Sequence, residues 1–177
     1  MRCETYDIRA ARAADMPAIR AMQARAMRAL GAGFYRPAVI AAFLERIGTM
    51  DDAVVHEGHF LVADAGGTIV GSGGWSRLTP GYAHTAGAAA PVHDATIRSV
   101  FVDPAAARRG IASAIMARAE ADAGAAGVRT IGLAATLSGL PLYLRLGYRA
   151  VAEIGIDQGR FGGVIMEKAL GPRSLAA

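Results

Sequence analysis

Residues 100–113 read VFVDPAAARRGIAS, and this stretch decides the fold. An apolar strand ends at an Asp-Pro pair, a short alanine loop follows, and RRGIAS opens a long helix. Amides at a helix start lack partners within the helix, and the helix dipole adds positive charge, so such a start can bind phosphate. Gly110 lets a backbone approach an anion closely, and Arg108 and Arg109 add cationic side chains. An ordinary strand-to-helix turn with a chance glycine fits the same letters.

The segments on either side of this stretch alternate between strand and helix patterns. Period-two patterns predict strands at 6–10, 60–63, 69–75, 95–102, 130–135, 149–156 and 161–167. Helical spacing and capping signals predict helices from Asp15, as N-cap, to Gly31, and at 37–47, 109–123 and 140–146. Residues 80–94 fit neither period. The order predicts an α/β fold with a mixed sheet, in one domain spanning residues 1–177.

Composition excludes several classes of protein. The 177 residues are 53% hydrophobic and 19% charged, which argues against disorder. No apolar run reaches the ~18 residues that span a bilayer. Cys3 is the only cysteine and the four histidines lack ligand spacing, so we expect neither a disulfide framework nor a metal site. Glu4, Asp7 and Asp15 make the start unlike a secretory signal, and we predict a cytoplasmic protein without membrane attachment.

The basic charge suits a small anionic ligand better than a nucleic acid. The net charge is +4, from eighteen arginines, one lysine and fifteen acidic residues. The arginines are scattered along the chain, and Arg108-Arg109 is the only adjacent pair. Because nucleic-acid binding usually needs a clustered basic face, we expect no nucleic-acid partner.

A second block, residues 134–148, reads AATLSGLPLYLRLGY. Together with VFVDP…RRGIA, this block resembles the GNAT superfamily of N-acetyltransferases, which use acetyl-coenzyme A (acetyl-CoA). The elements before and after the two blocks follow the same order, so the resemblance covers nearly the whole chain. It implies the GNAT fold, with a mixed, mostly antiparallel central sheet flanked by helices.

The resemblance also implies roles for individual residues. The backbone of 100–102 would pair with the pantetheine arm and hold the thioester carbonyl, and the amides of 108–113 would cradle the pyrophosphate. Tyr143 would protonate the leaving sulfur. The cofactor-binding residues that it implies are Val100, Phe101, Val102, Arg108, Arg109, Gly110, Ile111, Ala112, Ser113 and Ser138. The expected reaction is direct transfer to a primary amine of a small molecule or peptide; the alternative is a CoA-binding sensor or a degenerate GNAT relative without turnover.

The general base is the open point of this assignment. Many family members carry a glutamate on the central strand where this chain has Thr96. A low-pKa amine, a chain of waters, His84, His93 or Asp94 are the alternatives.

Aromatic residues outside the two blocks have mostly structural interpretations. Trp75 is expected to pack in the core or at its rim, Tyr148 to pack beneath the sheet, and His59 to lie at the surface. Phe34 and Tyr35 either line the acceptor pocket or have no role there. A homodimer is left open.

Overall fold

The computed structural model describes residues 5–79, 93–156 and 161–171, so most of the 80–94 segment, with His84, lies outside the described residues. In the described parts, one seven-stranded sheet has the order β1-β2-β3-β4-β5-β7-β6. Its strands are β1 (Asp7–Ala10), β2 (Phe60–Ala65), β3 (Thr68–Ser76), β4 (Ala95–Val102), β5 (Thr130–Thr136), β6 (Arg149–Ile156) and β7 (Phe161–Ala169). The helices are α1 (Met16–Gly31), α2 (Pro37–Arg46), α3 (Ala53–His56), α4 (Ile111–Ala125) and α5 (Leu140–Arg145).

Helices cover both faces of the sheet. One buried cluster joins α1 and α3 to β2 and β3, and another joins α4 and α5 to β3, β4 and β5. Along β2, Phe60 and Val62 belong to the first cluster and Leu61 to the second. Because successive side chains of a strand point to opposite faces, the two clusters lie on opposite sides of the sheet. The predicted α/β class and flanking helices are confirmed.

The sheet opens between β4 and β5. Every other neighbouring pair is antiparallel, but these two strands run parallel and pair only at Ala95–Ile131 and Thr96–Gly132. Beyond these pairs, β4 is bonded to β3 alone and β5 to β7 alone. The strands therefore diverge toward their carboxyl ends and leave a gap within the sheet.

The start of α1 lies where it was predicted, although without the predicted side-chain cap, and the start of α4 does not. Asp15 stands at the N-cap of α1, but its side chain does not cap the helix; it pairs with Arg9 at 2.7 Å and accepts the Arg12 N–H. The predicted helix from Arg109 begins at Ile111, because the backbone just before it is left-handed and cannot continue a helix. Among the described residues, no helix combines the length and apolar character needed to cross a membrane.

Candidate functional site

The loop between β4 and α4 is held in a defined shape. Asp103 accepts a hydrogen bond from the Ala105 N–H at 3.0 Å and pairs with Arg25 of α1 at 2.7 Å. Further along, Arg108 (φ 65°) and Gly110 (φ 81°) are both left-handed. Glycine adopts this backbone without strain, so Gly110 suits the residue that turns the chain into α4.

The start of α4 presents uncapped backbone donors. The first hydrogen bond of the helix runs from the Ala114 N–H to the Gly110 carbonyl at 3.0 Å, and Gly110 supplies no side-chain cap. The amides of residues 111–113 therefore have no partner within the helix. Arg108 and Arg109 are exposed beside them, and Arg109 donates to the Ala105 carbonyl at 3.2 Å. The structure thus brings the predicted residues 108–113 together at one helix start that can bind an anion.

The edge of β4 forms one wall of the gap. Val100, Phe101 and Val102 lie beyond the last pair with β5, so the side of their backbone that faces β5 has no strand partner. Backbone amides and carbonyls need hydrogen-bond partners when they leave water. An extended, amide-containing ligand can supply these partners, and the edge leads directly into the loop before α4.

The turn after β5 forms the other wall. Thr136 Oγ1 and Ser138 Oγ lie 3.0 Å apart, and the Leu137 N–H donates to the Tyr35 hydroxyl at 2.8 Å. Tyr35 in turn donates to the Gly162 carbonyl at 2.8 Å. Tyr35 is buried, which raises its pKa, and it ties the turn after α1 to the end of β5.

Of the other predictions for aromatic residues, those for Trp75 and Tyr148 are confirmed and the one for His59 is not. Phe34 is 53% exposed. Trp75 is buried in the core, as predicted, but His59 stacks on its ring with centroids 4.0 Å apart instead of lying free at the surface. Tyr148 is also buried in the core, as predicted.

Tyr143 lies on α5, directly after the turn that follows β5. Its side chain is buried and meets Tyr148 edge-on, with ring centroids 5.9 Å apart. Burial, and then Glu120 close by, raise the pKa of Tyr148 far above its usual value, so this second hydroxyl stays protonated. Tyr143 belongs to the buried cluster on the face that α4 covers, the same face as the candidate anion site.

Thr96 stands on β4 at the position where many members of the resembled family carry a glutamate. Its Oγ1 is buried and has no hydrogen-bond partner among the described residues. Thr96 pairs with Gly132 of β5, and the His93 ring occupies the space above that glycine: a Cβ there would lie 2.3 Å from Nδ1. Glu167, opposite Gly132 on β7, holds His93 Nε2 at 2.9 Å and also pairs with Arg149.

Asp94 serves a different purpose. Its carboxylate accepts the N–H groups of Arg129 at 2.8 Å and Thr130 at 3.0 Å, and these two bonds hold its pKa below the usual value. Asp94 therefore anchors the start of β5. In the described ranges no group of three or more histidine, cysteine or acidic side chains is arranged to hold a metal ion.

Sequence reasoning missed a closed set of four hydrogen bonds, which we call the β4 ring: Thr49, Gln23, Ser72 and Ser99. Thr49 Oγ1 donates to Gln23 Oε1 (2.6 Å), Gln23 Nε2 to Ser72 Oγ (3.0 Å), Ser72 Oγ to the Ser99 carbonyl (3.1 Å), and Ser99 Oγ to the Thr49 carbonyl (2.6 Å). Gln23 and Ser72 are fully buried, where an unpaired polar group costs about 1–3 kcal/mol. The available signal was a glutamine on the apolar stripe of α1.

Comparisons with known proteins agree with this geometry. The sequence profile of the acetyltransferase (GNAT) domain matches residues 56–150, more than half of the chain. No curated protein matches the sequence significantly. A GCN5-related N-acetyltransferase from Rhodopseudomonas palustris superposes with a TM-score of 0.70 at 20% identity, covering 96% of this chain and 98% of its own.

Two further solved structures were determined with a ligand of the coenzyme A type. The paiA N-acetyltransferase of Thermoplasma acidophilum, in complex with coenzyme A, has a TM-score of 0.68 at 16% identity and covers 93% of this chain and 99% of its own. A GNAT family acetyltransferase of Brucella melitensis, in complex with acetyl-CoA, has a TM-score of 0.60 at 22% identity and covers 96% and 90%. The profile match, which the divergent β4 and β5 and the uncapped start of α4 accompany, shows that the chain belongs to the GNAT family of N-acetyltransferases.

Proposed function

We propose that this chain transfers an acetyl group from acetyl-CoA directly to a primary amine of a small molecule or peptide. The observation that carries the proposal is the gap between β4 and β5, whose unpaired β4 edge continues within a few residues into the uncapped start of α4. Membership of the GNAT family supports the acetyl donor and the amino acceptor. The single sheet with helices on both faces supports one domain over residues 1–177, and the cytoplasmic location stays a prediction.

The residues of the gap fit the donor. Pantetheine carries amide groups in an extended chain, which suit the free backbone edge of Val100, Phe101 and Val102. The pyrophosphate suits the amides of residues 111–113, with Gly110 leaving the approach open, because nothing lies within 4 Å of where a Cβ would stand there. Coenzyme A and acetyl-CoA in the Thermoplasma and Brucella structures support this placement by analogy.

The reaction moves one acetyl group and one proton. The amine nitrogen attacks the thioester carbon, a C–N bond forms, the C–S bond breaks, and the amine proton leaves. We assign the proton delivered to sulfur to Tyr143. A tyrosine of pKa ~10 is about 1.5 units above a reference thiol, so this transfer is uphill by ~2 kcal/mol, which proximity offsets.

We assign the removal of the amine proton to His93, which acts as the general base and receives the proton through water. Thr96 lies four residues before Val100, about 13 Å along the strand at ~3.3 Å per residue, so His93 at the level of Thr96 is too far for direct contact. The unpartnered Thr96 Oγ1 is a natural station for such a water. Glu167 holds Nε2 of His93 and fixes the orientation of the ring.

Turnover with amines tests the proposal. Thiol release from acetyl-CoA is measured with a panel of diamines, amino acids and peptides with free N-termini, alongside calorimetric binding of CoA. Release above the rate of hydrolysis with at least one amine is the expected result. Tight CoA binding with no amine-dependent thiol release would reject the enzymatic function and favour the alternative, a CoA-binding relative without turnover.

A further inference from the structure

The β4 ring meets the proposed donor site at Ser99. Ser99 has φ 50°, a left-handed backbone that is uncommon for serine within a strand. The pairing of β3 and β4 shifts register at this point: Ser72 faces Phe101, whereas Gly74 faces Arg98. One extra residue on β4 is therefore a β-bulge, and it immediately precedes Val100.

The ring contacts the bulge from two sides. Ser72 Oγ bonds to the Ser99 carbonyl from β3, and the Ser99 hydroxyl bonds to the Thr49 carbonyl in the segment between α2 and α3. Gln23 of α1 links Ser72 to Thr49 and closes the ring. A strained backbone conformation persists only where the surrounding structure holds it. Here the carbonyl and the hydroxyl of Ser99 are both held by hydrogen bonds of the ring.

We propose that the β4 ring is a positioning device for the acetyl donor: it holds the bulge at Ser99 so that the backbone of residues 100–102 meets the thioester in the reactive register. This inference rests on the proposed function and adds Gln23, Ser72 and Thr49 to it as positioning residues. The inference assigns them no contact with the donor; they act through Ser99.

Loss of the ring has a specific consequence. Without the bond from Ser72, the Ser99 backbone can relax toward an ordinary extended strand, which removes the extra residue from β4. A one-residue change of register turns each following residue to the other face. Such a change would misplace the thioester carbonyl while the pyrophosphate site at α4 stays intact.

The chain offers a matched control on the same strand. Ser72 and Ser76 both lie on β3 and both are fully buried, but Ser76 Oγ accepts the Leu78 N–H at 3.0 Å and takes no part in the ring. Each loses one hydroxyl and the hydrogen bonding that goes with it on substitution by alanine. A general effect of a lost buried hydroxyl therefore appears in both variants, and an effect of the ring appears in Ser72→Ala only.

The experiment measures kcat, both KM values, and the ratio of Kd for a non-reactive acetyl-CoA analogue to Kd for CoA. We expect Ser72→Ala to lower kcat at least tenfold, with the KM of the acceptor changed less than threefold, and to abolish any preference for the acetylated ligand. Ser76→Ala should keep kcat within twofold of the unmodified protein. Thr49→Val, which keeps the shape of the side chain, should shift kcat in the same direction by a smaller factor.

Unchanged kcat in Ser72→Ala, or an equal loss in Ser76→Ala, would overturn the inference. If Ser72→Ala does not fold, Thr49→Val decides in the same way: unchanged kcat and ligand preference reject the ring. Failure of the proposed function looks different, because the unmodified protein would then release no thiol with any amine.

Discussion

Gly110 provides the most direct test of the anion site at the start of α4. We compare Gly110→Asp with Gly110→Asn, which have the same shape and both tolerate the left-handed backbone better than most residues. Since nothing lies within 4 Å of the position of a Cβ, either side chain has room, and the two variants differ in charge and in the donor of the asparagine amide. The comparison therefore isolates the electrostatic part of pyrophosphate binding.

The expected size follows from Coulomb's law. A carboxylate about 6 Å from a phosphate repels it by about 2.8 kcal/mol at an effective dielectric constant of ~20, and by about 0.7 kcal/mol in bulk water. Because Gly110 is exposed, the penalty lies between these limits, which means a Kd for CoA about 3- to 100-fold weaker in the aspartate variant than in the asparagine variant.

Isothermal titration calorimetry with CoA at low ionic strength measures the ratio, and a repeat at ~1 M salt, where the Debye length is about 3 Å, should bring it close to one. Equal Tm values for the two variants would show that both are folded to the same extent. Equal affinities at low salt would place the pyrophosphate elsewhere.

Tyr143→Phe should lower kcat by ~10²-fold with unchanged acetyl-CoA affinity, whereas Tyr148→Phe should keep kcat; full activity of the first variant would mean that solvent protonates the sulfur. His93→Gln should lower kcat more for an alkyl amine, whose deprotonation at pH 7 costs about 4.6 kcal/mol, than for an α-amine, whose deprotonation costs about 1 kcal/mol. Equal losses of kcat for the two amines would show that His93 is not the general base. The hydrogen bond from Arg9 holds the pKa of Asp15 below its usual value, so this stabilisation is present above about pH 4 and is lost as the pH falls through the lower folded-state pKa. Asp15→Asn should therefore lower Tm at neutral pH and flatten its decline in acid, and an unchanged acid slope in thermal melts would contradict the assignment.

Local signals predicted most of the elements. The strand expected at 95–102 has those bounds, because half of its eight residues are β-branched and an Asp-Pro pair ends it. The hairpin of β2 and β3 turns at Gly66-Gly67, as its glycines indicate. The start of α4 was misplaced by two residues because the letters RRG do not reveal that Gly110 takes a positive φ, which a continuing helix cannot contain.

The parts that escaped prediction depend on residues far apart in the chain. The Tyr35 hydroxyl joins Leu137 and Gly162, more than a hundred residues away, and no local period carries such information. The same holds for His93 and Glu167, which meet only because β5 and β7 are neighbours in the sheet. The two motif blocks predicted a donor site at the β4 edge and the start of α4, whereas the polar groups around the bulge arise from tertiary packing that no local pattern carries.

The short ladder between β4 and β5 also bears on how the molecule comes apart. Within the described strands, two residue pairs supply the only strand pairing between β1–β4 and β5–β7, and side-chain packing beneath α4 supplies much of the rest. A donor molecule lying in the gap would contact both halves at once, the β4 edge on one side and Tyr143, on the helix after β5, on the other. A ligand bound only by the native state at 100 times its Kd adds about 2.7 kcal/mol to the free energy of unfolding. The bound co-substrate would thus stabilise the contact between the two half-sheets. Its concentration would set how often the half-sheets separate.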